Sequence, residues 1–325
     1  DHLYSIAFSG RTFVAVGANG AIGTSDDGVT WTQQRIGSQI RWAVTFDNGQ
    51  FVTVGDSVTQ VANIINSTNG RNWTIQFPPS VSSLSGITYA KGKWLAVGTR
   101  MLVSTNLSNW TQSALSGGSV SGVAFTKDRF ILVGPSRSST SVGSSLSSST
   151  NGISWHVVDI GIIQRFQGPL NLDAAKPAVA YGNGRWVAAG RFGELAVSDD
   201  FVRWQPITLD TFEDLSVAGW LNGEFIVAGD AGAFATSPDG VNWTLLDTNF
   251  RDDFQSLEFG NGVYVAIARN GLTYVSKDGR TWDAFVELSR SASVTFGNGR
   301  FAFLSPSGTV VTENGGFVQS IHDAV

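Results

Sequence analysis

The sequence predicts an all-β fold built from repeated four-stranded antiparallel units, and three observations predict it. A seven-residue turn returns along the whole chain, two short strand-like runs precede each copy, and the unit recurs about every forty residues. The first copy of the turn is Ser25-Asp26-Asp27-Gly28-Val29-Thr30-Trp31. It comes back beginning at Ser67, Ser104, Ser149, Ser198, Ser237 and Ser276, and a worn copy starts at Thr312.

The first element of each unit alternates bulky with small residues, as in Leu3-Tyr4-Ser5-Ile6-Ala7-Phe8, Trp42-Ala43-Val44-Thr45-Phe46 and Ser85-Gly86-Ile87-Thr88-Tyr89. Small residues at alternate positions suit strands that crowd around an axis. A hairpin follows, marked by Asn48-Gly49, Asn183-Gly184, Asn222-Gly223, Asn261-Gly262 and Asn298-Gly299. Asn-Gly accepts the two positive φ angles that a tight hairpin demands. The second element is an aromatic followed by aliphatics and usually glycine, as in Phe51-Val52-Thr53-Val54-Gly55 and Trp94-Leu95-Ala96-Val97-Gly98. A third strand leads into the seven-residue turn, whose serine and whose Asp or Asn are placed to hydrogen-bond backbone N–H groups. Glycine takes the left-handed position, and the tryptophan leads into the fourth strand. Seven of the eleven tryptophans occupy this slot, which marks them as packing anchors rather than a ligand-stacking series.

Units begin near Asp1, Arg41, Leu84, Val120, Pro177, Leu215, Phe254 and Ala292, so the period predicts a β-propeller of eight blades, with seven as the alternative. Residues 1–325 are expected to form one such domain. Hydrophobic content of 42% supplies a core, and charged content of 14% argues against a disordered chain. A net charge of -5 with only five lysines disfavours nucleic acid, whose phosphates need clustered cations. The absence of cysteine excludes a disulfide, a thiolate metal site and a cysteine nucleophile. No apolar run is long enough to span a bilayer. The chain begins at Asp1 and its one methionine is Met101, so a trimmed or exported product is expected, secreted, periplasmic or on the cell surface with its signal peptide removed.

The turn resembles the Asp-box, or BNR repeat, of sialidases, sortilin-like receptors, photosystem II assembly factors of the Ycf48 type and xyloglucan-cleaving glycosidases. That resemblance covers almost the whole chain. It implies a propeller in which the box is a structural turn away from any active site. A sialidase would need six blades, an arginine triad and a tyrosine nucleophile, whereas Tyr4, Tyr89, Tyr181, Tyr264 and Tyr274 all read as strand residues.

Antiparallel order puts the first hairpin and the box on one face of each blade, and the second hairpin with the interblade link on the other. Nearly all length variation falls on that second face, in residues 56–66, 135–148 and 159–176. The 159–176 link combines apolar residues with Arg165, Phe166 and Asp173, so it is either a binding flap or a cap over a central opening. Arg41 beside Trp42 is a further candidate grip for a sugar or carboxylate. Asp214 and Asp252, with Asp210, Glu213 and Asp253 nearby in sequence, are candidate carboxylates for acid–base work on a glycosidic bond. Glu258 occupies a first-strand position otherwise filled by small or neutral residues, which makes it a third candidate. The Gly-Asn-Gly runs at Gly182, Gly260 and Gly297 follow the hairpins and precede no helix, so they are not phosphate loops. His2, His156 and His322 are too scattered for a metal site or a triad, and no cofactor is expected. The expected function is a non-catalytic, exported propeller whose long-loop face binds a glycan, peptide or protein. A polysaccharide-degrading hydrolase or lyase and an assembly or scaffold factor are the alternatives.

Overall fold

The computed structural model describes residues 2–56, 64–79, 81–113, 120, 122–135, 144–158, 178–285, 293–297, 299–304 and 310–313. Among them the chain forms seven four-stranded sheets and one three-stranded sheet, every one an antiparallel meander in sequence order. The first sheet shows the pattern: Leu3–Phe8, Phe13–Gly17, Ala21–Ser25 and Thr32–Arg35. Sheets two to seven span residues 41–76, 84–112, 122–158, 179–208, 215–246 and 254–285, and sheet eight spans 293–313. The all-β blades of the sequence reading are thus present, and Thr312 and Glu313, which open the worn last copy of the turn, end the third described strand of sheet eight. Each box tryptophan sits one residue before its fourth strand, as Trp31 precedes Thr32–Arg35.

The described residues group into two compact units, one carrying sheets one to four and the other sheets five to eight. In the first unit, apolar layers fill the gaps between sheets one and two, two and three, and three and four. The second unit repeats this between sheets five and six, six and seven, and seven and eight. The second strand of each blade lies at the middle of these layers; Phe13, Val14, Ala15 and Val16 are all fully buried. A strand buried on both faces reads as a continuous apolar run, which is how these segments look in the sequence.

Every first hairpin is clamped by an aromatic pair facing across it. Phe8 meets Phe13 at 4.3 Å, Phe46 meets Phe51 at 4.6 Å, and Tyr89 meets Trp94 at 4.8 Å between ring centroids. The same pairing recurs at Phe125–Phe130, Tyr181–Trp186, Trp220–Phe225, Phe259–Tyr264 and Phe296–Phe301. The partners are directly opposed in the strand register, where such pairs add about 0.5–1.5 kcal/mol beyond the area they bury. Asn48-Gly49, Asn183-Gly184, Asn222-Gly223 and Asn261-Gly262 all take positive φ at both residues, as a two-residue hairpin requires. Lys91-Gly92 and Lys127-Asp128 adopt that geometry without asparagine.

The glycine closing the second strand has a different reason. A Cβ on Gly17, Gly55 or Gly229 would lie 1.9 Å from the carbonyl oxygen of His2, Ile40 or Asp214. The next residue uses that close approach: Ala18, Asp56 and Asp230 donate their N–H to the same three carbonyls at 2.7–2.9 Å. The second hairpin of each of these blades is thereby stitched to the segment entering its own first strand.

Candidate functional site

The hydrogen bonds sort each blade into two ends with different chemistry. At the box end the polar groups are consumed by the turn itself. In the first box the Ser25 hydroxyl accepts the Gly28 N–H at 2.8 Å, while Asp27 Oδ1 accepts those of Val29 and Thr30 at 2.8 and 2.7 Å. The Trp31 indole N–H closes the loop on the Gly28 carbonyl at 3.1 Å. Asn69, Asn106 and Asn151 accept the equivalent pair of N–H groups in their boxes. Bonds from two backbone N–H groups stabilise the charged form, so Asp27, Asp200 and Asp239 are held below the usual carboxylate range. At Asp278 burial acts in the opposite direction and is outweighed by the N–H groups of Thr281 and Arg280.

Ion pairs tie neighbouring blades together at this end: Arg71 of the second box reaches Asp26 of the first at 2.8 Å, and Arg280 of the seventh box reaches Glu224 beside the first hairpin of sheet six at 2.9 Å. A groove at this end is lined by Arg185, Asp199, Asp200 and Arg203. Its carboxylates are already engaged, Asp199 by Arg185 at 2.7 Å and Asp200 by its own turn.

The opposite end gathers second hairpins and interblade links. In sheet one, Gly20 donates to the Gln39 carbonyl at 2.7 Å and its own carbonyl accepts the Ile36 N–H at 3.0 Å. In sheet five, Gly193 donates to Glu213 at 2.9 Å and accepts from Leu209 at 2.9 Å. Gly232 and Asp252 repeat the contact at 2.8 Å. The two ends that antiparallel order expects of each blade are therefore distinct in these sheets.

The sequence-predicted residues are distributed unevenly over that end. Arg165, Phe166 and Asp173 lie outside the described residues. Arg41 does not stand at the surface as a grip would: it is 1% exposed. It opens the first strand of sheet two at the place where Leu3, Leu84, Leu215 and Phe254 pack elsewhere. Its Nη2 donates to the Ile36 carbonyl at 2.9 Å, while Nε and Nη1 have no partner. Burial pushes its pKa down to about 10, so the guanidinium stays charged at neutral pH. Its neighbour Trp42 is half-buried; the indole N–H donates to Asp56 Oδ1 at 2.8 Å and the ring packs on Tyr4 at 4.9 Å.

Asp214 is paired with Arg191 at 3.1 Å and accepts the Phe192 N–H at 3.3 Å. Asp252 accepts the Asn270 amide at 2.6 Å and the Tyr274 hydroxyl, so both its oxygens anchor neighbouring chain. Burial, together with the Asp252 charge, pushes the Tyr274 hydroxyl up. Glu258 is half-buried on the first strand of sheet seven, where its Oε1 accepts the Phe259 N–H at 3.2 Å. Asp230, which the sequence reading did not single out, stands 3.5 Å from Arg269. Its pKa is raised by burial first and then by the nearby charges of Asp253, Asp214 and Glu213, against the pull of Arg269.

The structure also shows what sequence patterning passed over. Among the described residues three phenylalanines are exposed, Phe77 at 78%, Phe192 at 47% and Phe212 at 87%, and each lies on a link or second hairpin at the long-loop end of its own blade. Among the described residues no group of three or more His, Cys, Asp or Glu is arranged to hold a metal, and no helix is long and apolar enough to cross a membrane.

The sheets define a β-propeller of seven or eight blades, and solved structures agree. Sqt1 of Saccharomyces cerevisiae superposes with a TM-score of 0.70 at 12% identity, covering 96% of this chain and 95% of that one. The computationally designed Ika8 protein gives a TM-score of 0.68 at 15% identity over 96% and 95% of the two chains. YCF48 bound to D1 peptide gives 0.55 at 15% identity over 96% and 91%. At these identities the likeness is one of fold. No protein-family model and no curated protein matches the sequence.

Proposed function

We propose that residues 1–325 form one Asp-box propeller that acts as a non-catalytic binding module, engaging a peptide or protein partner through its long-loop face. The observation that carries this reading is the placement of Phe77, Phe192 and Phe212, the exposed phenylalanines among the described residues, each on a link or second hairpin of its own blade. Exposed aromatic surface on a rigid scaffold is typical of contact sites. The carboxylates support it as well. An acid–base pair needs groups free to exchange protons with substrate, whereas Asp214 is committed to Arg191 and Phe192, and Asp252 to Tyr274 and Asn270. Binding of a D1 peptide by the similarly folded YCF48 is in keeping with such a role.

The test sets binding against turnover. Incubation with a panel of polysaccharides, read by release of reducing ends, should give no product, while a random peptide-display library should yield binders. Product that disappears in D214N or D252N would establish the hydrolase instead.

A further inference from the structure

Phe192 and Phe212 stand on a platform that is locked before any partner arrives. The Arg191-Phe192-Gly193 hairpin is bonded to the 209–214 link through Gly193, which donates to Glu213 and accepts from Leu209, each at 2.9 Å. The Phe192 N–H adds a bond to Asp214 at 3.3 Å. Gly193 leaves no slack between the two segments, since a Cβ there would lie 2.4 Å from the Thr211 carbonyl.

The choice of residue at position 192 runs against local preference. Its φ is 54°, in the left-handed region, as are Asn19 at 53° and Ala231 at 50° in the matching hairpins of sheets one and six. Asparagine suits that geometry; a bulky phenylalanine is an outlier there. Phe192 stays 47% exposed, so it lacks the full burial that Phe201, at 1% exposure, gains at a similar φ. Strain kept at an exposed aromatic side chain is a mark of function.

The electrostatics around the pair favour a cation. Asp214 and Asp230 are matched by Arg191 and Arg269. Asp210, Glu213 and Asp253 carry their charge on the same links, Asp253 also accepting the Ala231 N–H at 3.0 Å, and Arg251 is the cation those links set against them. The phenylalanines offer apolar contact without a hydrogen-bonding handle, which suits a side chain better than a sugar. Resting on the partner-binding reading above, we infer that this platform docks a basic peptide segment, with a large apolar residue against Phe192 and Phe212 and a flanking lysine or arginine beside Glu213 and Asp253.

Peptides from a random display library selected on the full chain test it, with affinities measured on the parent, F212A, F192N and E213Q/D253N. Selected peptides should carry Lys or Arg next to a large apolar residue. F212A and F192N should each weaken binding about tenfold or more, and F192N should raise thermal stability because asparagine fits the backbone. E213Q/D253N should weaken binding and flatten its salt dependence. Peptides that keep full affinity for an F192N/F212A double variant overturn the inference, as do acidic selected peptides. If those peptides lose affinity on changing Trp42 or Phe77, the partner-binding reading stands and only this location falls. Failure to select any peptide, with capture on a glycan array, overturns both.

Discussion

At the scale of single residues, the box turns show how one position is made by different chemistries. Asp27, Asp200, Asp239 and Asp278 do with a carboxylate what Asn69, Asn106 and Asn151 do with an amide. The difference is felt in acid. Each depressed carboxylate favours the folded state above the ordinary aspartate pKa of about 3.9, and that contribution disappears as pH falls through the lower folded-state value. A variant carrying asparagine at all four positions should therefore lose less stability than the parent between about pH 5 and pH 2, with denaturant midpoints at each pH as the readout.

The left-handed slot of the same turn holds glycine in five boxes but Leu107 at φ 66° and Phe201 at φ 64° in the others. Their strain of about 1–2 kcal/mol is offset by burying a large side chain, worth about 1.5–3 kcal/mol. Phe201, at 1% exposure, packs edge-on against Trp186 at 4.6 Å.

Arg41 presents the opposite case, a buried cation where other blades place leucine or phenylalanine. R41L should raise unfolding stability by about 1 kcal/mol or more, because it removes an unpaired charge from an apolar layer. A loss of stability on denaturation would show instead that the guanidinium holds the 36–41 link in place.

At the scale of elements, the hairpins were the most legible part of the sequence and also hid something in plain view. Asn-Gly announced several first hairpins by mechanism. The aromatic pairs sit at a constant spacing of five residues, from Phe8 and Phe13 to Phe296 and Phe301, and single-strand reading missed them because each member belongs to a different strand. The spacing persists in sheet eight where the turn itself has decayed, so hairpin and box are independent records of the repeat. Lys127-Asp128 carries the hairpin geometry with φ of 41° and 65° and no glycine. D128G should stabilise sheet four by about 1 kcal/mol. The opposite change, G55A, should cost more than about 2 kcal/mol, since it drives a methyl into the Ile40 carbonyl, and chemical denaturation distinguishes the two.

At the scale of the whole molecule, period and composition were enough to read an all-β propeller and to separate the two ends of each blade, because topology alone dictates which turns share an end. Finding the exposed residues was harder. Phe192 and Phe212 sit in short segments where an aromatic residue reads as packing, and their exposure of 47% and 87% is visible only in the structure. Arg41 failed in the reverse sense, since a guanidinium next to Trp42 reads as surface and is buried by a strand position that is apolar elsewhere.

The most direct measurement is hydrogen exchange read by mass spectrometry on the full chain, alone and saturated with a peptide selected on it. Slowed exchange in segments 190–194, 209–215, 229–233 and 250–254, with the seven box turns unchanged, is the predicted result. Slowing confined to the box turns and first hairpins would contradict a partner bound at the long-loop end.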